Sequence, residues 1–155
     1  QDPYGIEFWP AFKGRDGCRT PMVWEGSAAQ GGFSSAAKTW LPVPDAHLSR
    51  AVDRQKGAQG SVMEHYRTFI AFRKQHAALI KGAIRFLPVT GNVVSFTRTH
   101  GEETLLCLFN MGETMERQPL PPGDWSVLSG HGLTGNLEGA TVELPAWGGL
   151  IARLV

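Results

Sequence analysis

Two arginines and an acid lie close together near the start of the sequence. Arg15, Asp16 and Arg19 occur in the stretch GRDGCRTPM, which is surrounded by glycines and prolines rather than by a periodic apolar pattern. A guanidinium group presents a planar fork of N–H donors that can bind neighbouring sugar hydroxyls or a carboxylate. Two interpretations follow: a polar clamp for a ligand, with Asp16 holding one arginine, or an ion pair that only pins the loop.

Paired carboxylates could also carry chemistry, because most glycoside hydrolases use two acids that flank the scissile bond. The local candidates are Asp2 with Glu7, and Glu102 with Glu103. Glu102 and Glu103 fall in an expected hairpin turn, where we expect both side chains to be solvated. We therefore assign no catalytic residue within this sequence.

Metal and cofactor chemistry find no support in the residue spacing. The 5 histidines and 2 cysteines form no pair at metal-ligand spacing, and the sequence has neither a phosphate loop nor a nucleophile elbow. We expect no metal and no cofactor. Cys18 and Cys107 are too sparse for a disulfide framework, so we expect two reduced thiols and a cytoplasmic location.

The charge distribution argues against nucleic acid and membrane partners. The net charge is +1 over 155 residues, and the basic residues are scattered rather than clustered. No apolar run reaches the roughly 18 residues that a membrane-spanning helix needs, and the first residues do not resemble a signal peptide. Because the chain begins with Gln1, we expect processing, truncation or proteolysis.

The elements that would position these residues fall into an irregular part and a regular part. Residues 1 to about 60 are rich in proline and glycine and contain Trp9, Trp24 and Trp40, which is typical of a functional loop or of a segment packed on another surface. A single helix is predicted over 61–81. Its start is a capping box from Ser61 to Glu64, and its apolar stripe comprises Val62, Tyr66, Phe69, Ile70, Ala77 and Ile80.

Short β-like runs separated by turn residues follow from Gly82 onward, which predicts an antiparallel sandwich or barrel. Trp125 and Trp147 lie at expected strand boundaries, and we interpret both as core residues rather than as sugar-stacking platforms. The predicted strands are 84–89, 93–99, 104–109, 114–119, 125–128, 141–144 and 150–155.

Several motifs, in order along the whole chain, resemble the C-terminal portion of bacterial α-glucosidases of glycoside hydrolase family 13, in the α-amylase superfamily. The residues that carry this resemblance are Gln1-Asp2-Pro3, Gly14 to Met22 with Trp24, Gly32-Phe33-Ser34, Trp40-Leu41-Pro42, and Ser61-Val62 to Tyr66-Arg67. Val23 departs from the residue common in that family, without a change in chemistry.

The resemblance implies an α+β fold in two parts. Residues 1–81 would be the tail of a catalytic (β/α)8 barrel, comprising the loop after its eighth strand and its last helix, and residues 82–155 would form a C-terminal antiparallel β-sandwich domain. In that family an arginine of the RTPM-type loop holds hydroxyls of the terminal glucose, at the barrel face that carries active sites. By position this arginine is Arg19, with Arg15 as a second substrate-binding residue and Asp16 as loop support.

The resemblance also implies a function. The parent protein would be a retaining, exo-acting α-glucosidase that hydrolyses terminal α-linked glucose from maltose-like oligosaccharides or sucrose. The family's nucleophile, acid/base and third acid match nothing in these 155 residues, so we expect the chain alone to be inactive. The alternatives are an oligo-1,6-glucosidase or trehalose synthase fragment, or a stand-alone carbohydrate-binding or structural β module.

The partners expected from this reading are the α-glucoside substrate, through the full-length enzyme, and the missing N-terminal barrel. Without that barrel, the helix stripe and the tryptophans of residues 1–60 would leave apolar surface open. We therefore expect self-association of the chain, disorder of its first half, or both.

Overall fold

The computed structural model describes all 155 residues, which divide into two compact units, Gln1–Glu64 and His65–Val155. The first unit is largely irregular, with only short helical elements: α1 (Pro3–Glu7), α2 (Asp45–Leu48), α3 (Val52–Gln55) and 3₁₀ turns at Asp16–Cys18 and Ala29–Gly32. The predicted division at residues 81 and 82, between a barrel tail and a β domain, stays a prediction.

The predicted helix over 61–81 is in fact two helices, α4 (Val62–Gln75) and α5 (Ala77–Lys81). Its start agrees with the sequence, because the Ser61 hydroxyl accepts a hydrogen bond from the Glu64 N–H at 3.2 Å. The Glu64 carboxylate accepts from the Gly57 N–H at 2.8 Å, while the Ser61 N–H donates to Ala58. The prediction of one continuous helix was wrong at His76, whose backbone is extended (φ −119°, ψ 105°).

The break at His76 has a physical cause in Glu103. This carboxylate accepts the Ala78 N–H at 2.9 Å, which satisfies a free donor in the first turn of α5, and it lies 2.7 Å from Nδ1 of His76. Burial opposes the charge of Glu103, but these bonds outweigh it and hold the pKa of the carboxyl below its usual value. The expectation of a solvated turn was therefore wrong for Glu103.

The second unit contains eight antiparallel strands in two sheets. A five-stranded sheet has the order β1-β2-β3-β8-β5, and a three-stranded sheet has the order β4-β7-β6. The strands are β1 (Ala83–Phe86), β2 (Val93–His100), β3 (Glu103–Asn110), β4 (Glu116–Pro119), β5 (Trp125–Val127), β6 (Asn136–Glu138), β7 (Thr141–Leu144) and β8 (Gly149–Leu154). The predicted combination of helix with antiparallel sheet, the α+β class, is confirmed.

The five-stranded sheet is covered on both faces, as the alternation along its central strands shows. Leu106 and Leu108 of β3 pack in one cluster with Val142 and Leu144 of the smaller sheet. Their neighbours in β3 pack in a second cluster with the two helices; that cluster comprises Phe72, Ala78, Leu79, Leu105, Cys107 and Ile151. The core of this unit therefore lies on the two sides of β3 and β8.

Strand positions follow the prediction closely, with seven predicted runs overlapping β1–β5, β7 and β8. The prediction missed β6, whose three residues include a single apolar side chain, Leu137. Trp125 packs against the core and donates its indole N–H to the Pro121 carbonyl at 3.0 Å. The core interpretation was wrong for Trp147, which is 65% exposed.

Most of the predicted apolar stripe of α4 is uncovered within the chain. Val62, Tyr66 and Ile70 are exposed, and Phe69 is partly buried. The buried side chain of α4 is Phe72, which the predicted stripe did not include. The hydrophobic side chains of α4 thus point in more than one direction, and only those on one face of the helix pack against the five-stranded sheet. At 14 residues, α4 is the longest helix, and no helix has the length and apolar character needed to cross a bilayer.

Candidate functional site

The arginine loop is tied to the start of the chain through Asp2. Asp2 is the N-cap of α1: its carboxylate accepts the Tyr4 N–H at 3.1 Å, and Pro3 occupies the first helical position, where a missing N–H has no cost. The side chain is only 2% exposed. A buried carboxylate of this kind needs several donors, since its remaining lone pairs have lost water.

The loop supplies those donors. Arg15 gives both its backbone N–H, at 2.9 Å, and its Nε, at 3.1 Å, to Oδ2 of Asp2. The approach requires Gly14, whose φ is +73° and at which an added Cβ would lie 3.0 Å from the Cβ of Asp2. An added Cβ at Gly5 of α1 would be 2.9 Å from the Gly14 Cα, so the helix and the loop meet at two glycines.

Asp16 completes the connection in the opposite direction. Its Oδ2 accepts the backbone N–H of Asp2 at 3.1 Å, and its Oδ1 pairs with Nη2 of Arg19. The backbone N–H of Asp2 and the guanidinium of Arg19 both favour the charged form of the Asp16 carboxyl. Asp16 also begins the 3₁₀ turn that brings Arg19 back over it, with the Arg19 N–H bonded to the Asp16 carbonyl at 3.0 Å.

Both carboxylates are therefore held in the charged form. The Arg15 backbone N–H is the main cause of the lowered pKa of Asp2; burial acts in the opposite direction, and the Arg15 side chain and the Tyr4 N–H add to the lowering. Because the folded pKa lies below the ordinary one, the bonds of Asp2 persist as the pH falls through the ordinary value and weaken only at lower pH. A carboxyl held in this way is a poor proton donor near neutral pH.

Arg19 lies at the edge of a cleft. Its guanidinium carbon is 5.2 Å from the centre of the Trp40 ring, a cation–π distance, and its Nη2 is 3.7 Å from Asp2 Oδ2. The cleft has a volume of about 280 Å³ and is also lined by Phe33, Ser34 and Lys38. Arg19 is 36% exposed, so the cleft combines a held, accessible guanidinium with an aromatic ring, an arrangement that can bind a hydroxylated ligand.

The structure brings Arg15, Asp16 and Arg19 together as the sequence suggested, and the ion pair between Asp16 and Arg19 is present. The two candidate carboxylates Asp2 and Glu7 differ in their surroundings. Asp2 is a buried helix cap, whereas Glu7 is exposed. Sequence reasoning missed Asp2 as the anchor of the loop, although Asp2 followed by Pro3 is a recognisable helix start. It also missed Trp40, for which spacing along the chain gives no signal.

Comparison with known proteins identifies the family. The family model described as "Alpha amylase, catalytic domain" matches residues 2–82, which is more than half of the chain. The chain belongs to the alpha-amylase family. The matched segment contains the arginine loop, Trp40 and both helices α4 and α5.

The relatives that this chain matches within the alpha-amylase family are much longer than the chain itself. It is 53% identical over 154 residues to "Probable alpha-glucosidase" of Rhizobium meliloti, covering 99% of this chain and 28% of that protein. It is 32% identical over 114 residues to "Oligo-1,6-glucosidase" of Parageobacillus thermoglucosidasius, covering 73% and 20%. The crystal structure of an alpha-glucosyl transfer enzyme matches with a TM-score of 0.93 and 38% identity, over 100% of this chain and 29% of the other.

We predict that Asp2→Ala loosens the arginine loop. The substitution removes the acceptor of the Tyr4 and Arg15 N–H groups, so local opening becomes easier. Limited trypsin digestion of the chain should then cut after Arg15 and Arg19 several-fold faster than in the unmodified chain. Glu7→Ala, which removes an exposed acid of the same helix, is the matched control. Equal cleavage rates for the two variants would contradict the anchoring role of Asp2.

Proposed function

We propose that the chain is the C-terminal part of a retaining, exo-acting α-glucosidase that hydrolyses terminal α-linked glucose from maltose-like oligosaccharides or sucrose. The observation that carries the proposal is the held pair of Arg19 and Asp16 beside an open cleft, in a chain 53% identical over nearly its whole length to a protein named as an α-glucosidase. The family match ends at residue 82, which supports a barrel tail over 1–81 and a β-sandwich domain over 82–155.

In this proposal Arg19 binds hydroxyls of the terminal glucose, Arg15 is a second substrate-binding residue, and Asp16 supports the loop. The geometry favours Arg19 as the main donor, because it borders the cleft. The Nε of Arg15 is instead bonded to Asp2, while 65% of its side chain is exposed. The retaining mechanism needs a nucleophile and an acid/base carboxylate, which the proposal places outside these residues.

An oligo-1,6-glucosidase or a trehalose synthase parent is the nearest alternative within the family. The relatives named as oligo-1,6-glucosidases support the former, at 29–33% identity. The higher identity to the α-glucosidase favours our assignment. Comparison of maltose with isomaltose as substrates of the full-length enzyme distinguishes the two bond types.

A second candidate function, a carbohydrate-binding β module, is favoured by one observation. Trp147 is exposed on a turn that hydrogen bonds hold in place: its backbone N–H donates to the Gly112 carbonyl at 3.2 Å, and Nδ2 of the buried Asn110 lies within hydrogen-bond distance of the carbonyls of Thr114, Leu144 and Pro145. An exposed indole can stack on a sugar ring. Titration of the chain with maltose decides this candidate: a flat response removes it, and saturable binding that Trp147→Ala abolishes would support it.

We further propose a cytoplasmic location. Cys18 is exposed and Cys107 is buried, and neither takes part in a disulfide. Exposed free thiols are typical of proteins in a reducing compartment. Burial raises the pKa of Cys107 to about 12, so this thiol is unreactive. Fractionation of the source cells, with the activity followed in the cytosolic and extracellular fractions, tests this location.

We predict that Arg19→Ala in the full-length enzyme lowers kcat/KM for maltose by about 10- to 100-fold. A hydrogen bond from a charged group to a substrate hydroxyl is worth about 1.5–3 kcal/mol, and its loss leaves the fold intact because Arg19 is partly exposed. Arg85→Ala, at an exposed arginine of β1, is the matched control and should leave the kinetics unchanged. Wild-type kinetics for Arg19→Ala would refute the proposed site.

We predict that the chain by itself self-associates. Large side chains of the first unit are exposed, among them Trp9 and Trp24, and so are Val62 and Tyr66 of α4. Exposed apolar surface of this extent marks an interaction surface, which the proposal assigns to the missing N-terminal barrel. Sedimentation velocity should show mass above that of a monomer at micromolar concentration, and a clean monomer would contradict the prediction.

A further inference from the structure

His131 is a buried histidine in the connection between β5 and β6, residues 128–135. Its side chain is only 5% exposed, and its Nδ1 accepts the backbone N–H of Leu133 at 3.0 Å. A ring nitrogen accepts a hydrogen bond only when it carries no proton, so the imidazole is neutral and its proton lies on Nε2. Nε2 is itself buried and has no hydrogen-bond partner, so no bonded acceptor there would stabilise a positive charge.

The His131 ring lies against α4. Its centre is 5.2 Å from the centre of the buried Phe72 ring, and the two ring planes are perpendicular, at 89°. Leu133 packs against the cluster that contains Phe72. Gly132 lets the backbone pass close to the helix, because its φ is +76° and an added Cβ would lie 3.3 Å from Nδ1 of His65. The connection is therefore seated on α4 through three consecutive residues.

The groups around His131 do not favour its protonation. The ionisable side chains that α4, β3 and β8 place around His131 and Phe72 are His65, Arg73, His76, Glu103, Cys107 and Arg153. Glu103 is the one carboxylate among these, and it is already bonded to His76 and to the Ala78 N–H. Burial lowers the pKa of His131 below its usual value, and the Leu128 carbonyl only partly opposes this effect.

We propose that His131 is a pH-sensitive switch: the neutral ring keeps the connection between β5 and β6 closed on α4, and the protonated ring releases it. An imidazolium carries an N–H group on both nitrogens, so Nδ1 can no longer accept the Leu133 N–H and two donors face each other. The same proton places a buried charge beside Phe72. Release moves the ring into water, where its charged form is stable. The switch is independent of the proposed function, because none of its residues belongs to the arginine loop.

The direction of the pH effect follows from the lowered pKa. The switch contributes its full stability above the ordinary histidine pKa of about 6.5, and this contribution is lost as the pH falls below that value. The protection of the Leu133 amide against hydrogen exchange reports the closed state locally. Between pH 7 and pH 5, uptake of one proton on opening predicts a loss of protection of up to about 25-fold, after correction for intrinsic exchange.

The variant His131→Asn separates titration from hydrogen bonding. An asparagine side-chain carbonyl can accept the N–H two residues further on, as in an Asx turn, but it takes up no proton in this pH range. In His131→Asn we expect the protection of Leu133 at pH 7 and at pH 5 to agree within about twofold. His100→Asn, at an exposed histidine of β2, is the matched control and should keep the wild-type pH dependence.

Two exchange results would overturn the inference. Equal protection of Leu133 at the two pH values in the unmodified chain would show that the connection does not open on protonation. The same loss in His131→Asn as in the unmodified chain would show that another group is responsible.

A spectroscopic measurement on the unmodified chain tests the switch even if His131→Asn does not fold. Nitrogen-15 spectra of the imidazole should show Nδ1 of His131 unprotonated and Nε2 protonated at pH 7. We expect the second proton to bind over the same pH range in which Leu133 loses its protection. A proton on Nδ1 at pH 7, or complete protonation of His131 with Leu133 still fully protected, would overturn the inference.

Discussion

The buried carboxylate of Asp2 is the constraint on which the candidate site depends. A charged group that is 2% exposed must find donors within the protein, and it finds them in the Tyr4 and Arg15 N–H groups and in Arg15 Nε. The bonds from the two backbone N–H groups fix the path of the chain, and the bond from Arg15 Nε fixes a side chain of the loop. The position of Arg19 at the cleft follows, because the turn at Asp16–Cys18 starts from the loop that Asp2 has already fixed.

A similar arrangement occurs in the second unit. Glu103 lies at the start of β3 and bonds to the first turn of α5, while its pairing with His76 sets the point at which α4 ends. In both units a carboxylate satisfies helix N–H donors and joins segments distant in sequence. The pKa of each carboxyl is lowered by these bonds, so both connections are strongest where the carboxylates are charged.

The elements that could be predicted from the sequence are those whose evidence is local along the chain. The helix start at Ser61 and most strands could be predicted, because capping residues and the change of apolar period are visible along the chain. The break at His76, the exposure of Trp147 and the pairing of Trp40 with Arg19 could not, because each depends on a partner distant in sequence or on tertiary packing. The arginine pair was visible from its spacing, but its anchor was not, because Asp2 was considered only as a candidate carboxylate partner of Glu7.

The most direct test of the fragment assignment compares hydrolysis of p-nitrophenyl α-glucoside by the purified chain and by the full-length enzyme, after intact-mass analysis has confirmed the 155 residues. We expect turnover by the full-length enzyme and none by the chain, because the proposal assigns only sugar binding to the arginine loop and places the catalytic carboxylates outside these residues. Robust turnover by the chain alone would mean that acids such as Glu7 or Glu102 form a catalytic site, and would contradict the division of the active site proposed here.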